Sequence, residues 1–175
     1  MRTLVHLRHG ERAPGGTDLT ELGARRAAEV GRRMARFDRV VTSPKPRAVE
    51  TAEAMGYAVD AELPLLGSLP GPIERWIDRS MPRSFDAFVR FVAKVEEART
   101  EAEALAARLA QEVDLLPESG RLLAVSHTGV VELNAVGALG PAAAAWGPTA
   151  GYLEGIMLAR EAGAWRSGAP VRDRR

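Results

Sequence analysis

The residues best placed to do chemistry in this sequence are two histidines, His9 and His127. Each stands where an apolar run gives out, and each is followed closely by glycine, Gly10 and Gly129. Arg8 is beside the first. Arg47 falls in what reads as the first turn of a helix that itself follows a strand. In open α/β sheets, ligands bind beyond the carboxyl ends of the strands. Two histidines at two such ends meet if their strands are neighbours. A helix N-terminus at the same edge adds unpaired N–H groups and partial positive charge. Two imidazoles, two guanidiniums and helix N-termini make a site for a dianion, and phosphate fits it. Phosphoryl transfer needs a nucleophile, in-line geometry and neutralised oxygens. With no P-loop, no metal-ligand cluster and no cysteine, histidine is the best nucleophile available. Imidazole can be phosphorylated and then dephosphorylated by water. Two arginines and a second, protonated histidine would stabilise the oxygens.

Composition narrows the field further. At 175 residues the chain suits one domain, 1–175, and can bury a core without staples. Zero cysteines exclude a disulfide scaffold, a thiolate zinc site and an iron–sulfur cluster. A net charge of +1 argues against nucleic acid or an anionic membrane as the main partner. The only lysines are Lys45 and Lys94, so nearly every fixed cation is an arginine. Met1–Val5 runs straight into Arg8 and His9 with no signal-peptide pattern, and no apolar run reaches membrane-spanning length. A cytoplasmic protein is expected.

Several elements must hold these residues. Leu4–Leu7 reads as a strand buried on both faces, as in parallel sheets. A Gly/Pro-rich loop follows, then a helix capped by Asp18 or Thr20 with Leu22, Ala27, Val30, Met34 and Phe37 on one stripe. Asp38–Thr42 holds the next strand. Ser43 suits the N-cap and Pro44 the first position of a helix carrying Arg47 and Thr51 and stopping at Gly56. Tyr57–Val59 reads as a further strand and Leu63–Pro72 as irregular. Ser84 to Val113 is one long helix or two with a break near Thr100, and its Glu96–Glu112 stretch presents a wet face. Leu122–Val125 is a strong strand leading to Ser126 and His127, followed by a helix through Leu139. A closing hairpin turns around Glu161–Gly163. Strands alternating with helices imply an α/β three-layer sandwich with a mainly parallel central sheet.

The sequence Leu7-Arg8-His9-Gly10-Glu11 resembles the signature of the histidine phosphatase superfamily, the phosphoglycerate-mutase-like proteins. Three further stretches agree in order and spacing: Leu19–Ala27, Val41–Ala52 with its Thr42-Ser43-Pro44…Arg47, and Val125–Gly129 around His127. The resemblance implies a phosphoglycerate-mutase-like fold and a phosphatase that works without metal or other cofactor. It implies that His9 becomes phosphohistidine and that Arg8 and Arg47 clamp the phosphoryl oxygens. His127 donates to the same group, with backbone N–H groups near Thr128 joining it. The implied partner is a small phosphorylated substrate or a phosphohistidine protein.

Two departures from the family pattern concern the substrate. The segment that carries a glutamate acid/base in many members is best matched by Leu65–Gly71, which places Gly67 where that acid stands. Glu74 is the first candidate to replace it, with Glu11 and Asp18 behind. Gly15 stands at the distance where an asparagine often contacts phosphate. The leading function is a phosphatase acting on a phosphomonoester or phosphohistidine. The alternatives are a phosphoglycerate-type mutase and a phospho-ligand-binding protein with little turnover. His6, inside the first strand, is expected to be a hydrogen-bonded structural histidine. Phe85, Phe88 and Phe91 are expected in the core, and Trp76 either walls the pocket or packs.

Overall fold

The computed structural model describes residues 1–173. Its strands are β1 (Arg2–Arg8), β2 (Arg39–Thr42), β3 (Ala61–Glu62), β4 (Arg121–Ser126), β5 (Gly155–Glu161) and β6 (Ala164–Val171). They form one sheet in the order β3-β2-β4-β1-β5-β6. The helices are α1 (Glu21–Arg33), α2 (Pro46–Ala54), α3 (Gly71–Ser80), α4 (Phe85–Lys94), α5 (Glu96–Asp114) and α6 (Val130–Leu139). Among the described residues no helix is long and apolar enough to cross a membrane.

The expected mainly parallel sheet is mixed. β3, β2, β4 and β1 pair in parallel, but β5 joins β1 antiparallel and β6 joins β5 antiparallel. The closing hairpin, which turns through left-handed residues at Ala162 and Gly163, folds back too tightly to allow a crossover and so sets β6 antiparallel to β5.

Alternation along β1 and β4 divides the core into two layers. Val5, Leu7, Leu123 and Val125 face α1 and α2, where Ala27, Val30, Ala48 and Ala52 are buried. Leu4, Leu122 and Ala124 face the other side, packed with Phe85, Phe88, Leu105 and Leu109. Phe85 and Phe88 are fully buried, each worth about 2 kcal/mol of transfer out of water. Trp76 belongs to this packing: its ring stacks on Phe91 at 3.8 Å and 3°. It does not wall the pocket.

Several local expectations shift. Thr20, not Asp18, caps α1, its side chain accepting from the Gly23 N–H. Helix α2 begins later than expected, with Lys45 as N-cap and Pro46 first. The short third strand lies at Ala61–Glu62 rather than Tyr57–Val59. The break between α4 and α5 falls at Val95, whose backbone is extended (φ −123°, ψ 115°), a conformation that suits a β-branched residue. Glu112 lies inside rather than on the wet face, paired with Arg39 and Arg108. Helix α3 was not legible, because prolines and glycines at its start mask an amphipathic turn.

Register aligns the strand ends. Leu7 pairs with Val125 and Arg8 with Ser126, while Thr42 of β2 pairs with Val125. The His9 N–H then donates to the Ser126 carbonyl at 2.9 Å, and the Ser43 N–H to the Val125 carbonyl at 2.9 Å. His9, Ser43 and His127 therefore leave three adjacent strands at one edge.

Candidate active site

His9 is 3% exposed, and its hydrogen bonds define its tautomer. A carbonyl only accepts, so Nδ1 donates to the Gly10 carbonyl at 2.7 Å. A guanidinium only donates, so Arg47 Nε donates to His9 Nε2 at 3.1 Å. The ring is neutral, with the Nε2 lone pair facing Arg47. Burial and the nearby Arg47, Arg8 and Arg12 hold its pKa down to about 4, against the hydrogen bond to Gly10. Thr51 steadies the backbone here: its hydroxyl accepts from the Gly10 N–H at 2.9 Å and donates to the Arg47 carbonyl at 2.6 Å. One α2 side chain thus ties the His9 loop to the helix carrying Arg47.

The His127 ring lies 5.2 Å from that of His9, edge to face. Its Nε2 is 2.8 Å from Ser43 Oγ, and its Nδ1 has no partner. Burial, then Arg47 and His9, push its pKa down to about 2. Without a bound anion, the neutral imidazole is therefore favoured over the protonated histidine expected from sequence. Surrounding cations disfavour one more, and an arriving dianion would oppose that effect. His6 is structural, as expected: Asn134 Nδ2 donates to its Nδ1 at 3.0 Å, and its Nε2 donates to Ser126 Oγ at 2.7 Å.

Arg8 Nη1 donates to the Ala150 carbonyl at 3.2 Å, while its Nε has no partner. Its guanidinium lies 4.3 Å from the centre of the Tyr152 ring, within cation–π range. That ring is also 5.7 Å from His9. Burial lowers the pKa of both Arg8 and Arg47.

A cavity of about 310 Å³ adjoins these groups, lined by Lys45, Arg47, His127 and Thr128 on one side and by Gly67, Glu74 and Asp78 on another. Arg8 and His9 are not part of its wall; His9 touches it only through Arg47 and His127. Of the expected acids, only Glu74 reaches the cavity; its Oε1 accepts from the Leu69 N–H at 3.4 Å. Glu11 faces Arg26 at 3.6 Å, and its carbonyl accepts from Thr20 beneath α1, so it is drawn away from the cavity. Asp18 is exposed in the loop, accepting from Thr17. Gly15 sits in the same loop, left-handed, with open space around it. Gly129 has φ +87°, and a Cβ there would lie 2.6 Å from Ile77 of α3, so the turn after His127 needs glycine.

A family model described as histidine phosphatase superfamily, branch 1, matches residues 4–166. The chain belongs to the histidine phosphatase superfamily. A search of curated proteins finds no match. Among solved structures, phosphoserine phosphatase from Entamoeba histolytica is similar at a TM-score of 0.73 and 18% identity, over 99% of this chain and 98% of that one. The protein histidine phosphatase SixA is similar at 0.58 and 19%, over 96% of each chain. Phosphoglycerate mutase from Bacillus anthracis is similar at 0.58 and 18%, over 94% and 90%. At these identities the likeness shows the shared, phosphoglycerate-mutase-like fold.

Within the superfamily pattern, Gly67 sits on the cavity wall where a glutamate was expected. A Cβ there would stand 3.0 Å from Pro44 Cδ and 3.3 Å from the Pro64 carbonyl, so a side chain would crowd the loop before α2. Sequence reasoning missed Tyr152, Arg12, Asp78 and Lys45. Lys45 neighbours a recognised motif and was within reach. Tyr152 and Asp78 arrive by tertiary folding alone and carry no local signal.

Proposed function

We propose that the chain is a metal-independent phosphatase that acts on a phosphomonoester or phosphohistidine substrate through a phosphohistidine on His9. The observation that carries this reading is the neutral His9 ring, Nδ1–H held by Gly10 and Nε2 facing Arg47. As the phosphoryl group arrives, Arg47 Nε releases Nε2 and turns to the phosphoryl oxygens. Nε2 attacks phosphorus, the bond to the leaving group breaks, and the Nδ1–H bond to Gly10 supports the charge growing on the ring. Water then attacks the phosphohistidine, releasing phosphate and restoring His9. Arg8, Arg47, His127 and Thr128 meet the oxygens, the two arginines supplying positive charge and His127 and Thr128 hydrogen bonds. The cavity beside His127 receives the leaving group. Hydrolysis of p-nitrophenyl phosphate undiminished by EDTA, with an acid-labile phosphoenzyme trapped during turnover, is the expected result; loss of activity in EDTA removes the metal-independent mechanism.

Glu74 faces the leaving-group side and fits the part of proton donor. General acids contribute about 10²–10⁴-fold to poor leaving groups, and p-nitrophenolate leaves without help. Glu74→Gln should lower kcat/KM on an alkyl phosphate by at least about tenfold and change the aryl rate little. Equal losses on both substrates would take Glu74 out of the mechanism.

A further inference from the structure

Glu132 stands at the third position of α6 and is fully buried. Its Oε2 accepts from the Gly129 N–H at 2.6 Å. Its Oε1 accepts from the Ala150 N–H at 2.8 Å. These two donors belong to different parts of the chain. Gly129 closes the turn that carries His127 and Thr128. Ala150 lies in the stretch before β5, where its carbonyl accepts from Arg8 and the Tyr152 ring lies under the guanidinium. Arg172 donates to the Trp146, Pro148 and Thr149 carbonyls of the same stretch. The segment that orients Arg8 is therefore tied to both Glu132 and Arg172.

The chemistry of this knot is specific. Arg8 forms no ion pair among the described residues. The Glu132 carboxyl is engaged by two backbone N–H groups and reaches Arg8 through the Ala150 peptide. Arg8 is oriented without being neutralised, and its Nε donor has no partner. A carboxylate in direct contact with the guanidinium would compete with an anion; this one does not. Only a group with two accepting oxygens joins both N–H donors. Burial favours the neutral acid, while the two N–H groups and Arg8 favour the carboxylate.

We propose that Glu132 is a positioning residue, holding the His127 turn and the Arg8-orienting segment at the separation that one phosphoryl group requires. This rests on the reading that Arg8 and His127 bind that group. The test uses inorganic phosphate titrated calorimetrically into the wild-type protein, Glu132→Gln, Arg8→Lys and the double variant, with p-nitrophenyl phosphate kinetics and thermal melts alongside. Gln keeps the size but sets an amide NH₂ against one of the two N–H donors. Phosphate affinity should fall about tenfold in Glu132→Gln, with KM rising in parallel. In the Arg8→Lys background the same change should cost less than about twofold, because Glu132 acts partly through Arg8. A lowered melting temperature with wild-type phosphate affinity, or an additive double variant, overturns the positioning role and leaves the phosphatase reading intact. If Glu132→Gln does not fold, Glu132→Asp, which keeps the charge but cannot span both donors, is put through the same cycle and judged alike. A wild-type protein that neither binds phosphate nor hydrolyses the ester overturns both readings.

Discussion

Replacing His9 with alanine should abolish turnover while leaving phosphate binding largely in place. His9 supplies the only atom proposed to bond to phosphorus. His127 is 5.2 Å away ring to ring, with Nε2 engaged by Ser43. Loss of a covalent nucleophile removes one route entirely, so kcat should fall by at least about 10³-fold. The remaining cations, Arg8, Arg47 and Lys45, still present donors to the anion, and Arg47 is released from its bond to His9 Nε2. Phosphate affinity should therefore stay within a few-fold of wild type or improve slightly. Phosphoenzyme trapping should give no acid-labile signal. Equal rates in wild type and His9→Ala would exclude the phosphohistidine route. A wild-type protein that binds phosphate and turns over nothing would instead favour the phospho-ligand-binding alternative. Interconversion of phosphoglycerates primed by a bisphosphate, and lost in the same variant, would identify a mutase.

Much of this site could be read before the fold, for a physical reason. His9 and His127 end apolar strands, and buried parallel strands announce themselves by unbroken apolar runs. Neighbouring strand ends then bring the two rings together. Arg47 was readable because a helix start after a strand has a fixed direction relative to the sheet edge. What escaped notice depends on long-range packing. Tyr152 reaches His9 from a turn 143 positions later in the chain because β5 pairs with β1. Glu132 looks like an ordinary first-turn carboxylate, but α6 is buried along its first seven residues and the Ala150 N–H meets its carboxyl there. The closing hairpin was visible as a turn, but which strand it would join, and in which direction, was not. Glu11 and Asp18 were attractive by sequence proximity alone, and Glu74 reached the cavity because α3, itself unforeseen, carries it there.

Mild acid should unfold this protein, and the three histidines are the reason. Burial lowers His6 to about 3, and burial with neighbouring arginines lowers His9 to about 4 and His127 to about 2, against an ordinary value of 6.5. Below pH 6.5 the unfolded chain takes up protons at all three, while the folded chain refuses them until pH falls to 4 or below. Stability is thus fully present above 6.5 and is lost as pH falls towards the folded values. Each group contributes about 1.4 kcal/mol per pH unit inside that window, so the three together approach about 4 kcal/mol per unit. Glu132 and Glu101 act in the opposite sense, since burial raises both and the folded chain keeps protons that the unfolded chain has released. They reduce the slope. By pH 5 the histidine part of the loss is on the order of 5 kcal/mol, comparable with the whole stability of many domains. Urea midpoints measured at pH 7 and pH 5 should fall sharply, and His6→Gln should remove about one proton from the slope without touching His9 or His127. Activity supplies an independent check. With His9 neutral down to about pH 4, kcat/KM of protein that is still folded should show no break at 6.5, and the loss near pH 5 should coincide with loss of circular dichroism. A stability that stays level between pH 7 and 5, together with an unchanged proton slope in His6→Gln, would mean that the buried imidazoles are protonated in the folded state, and with that the neutral nucleophile at His9 would fail as well.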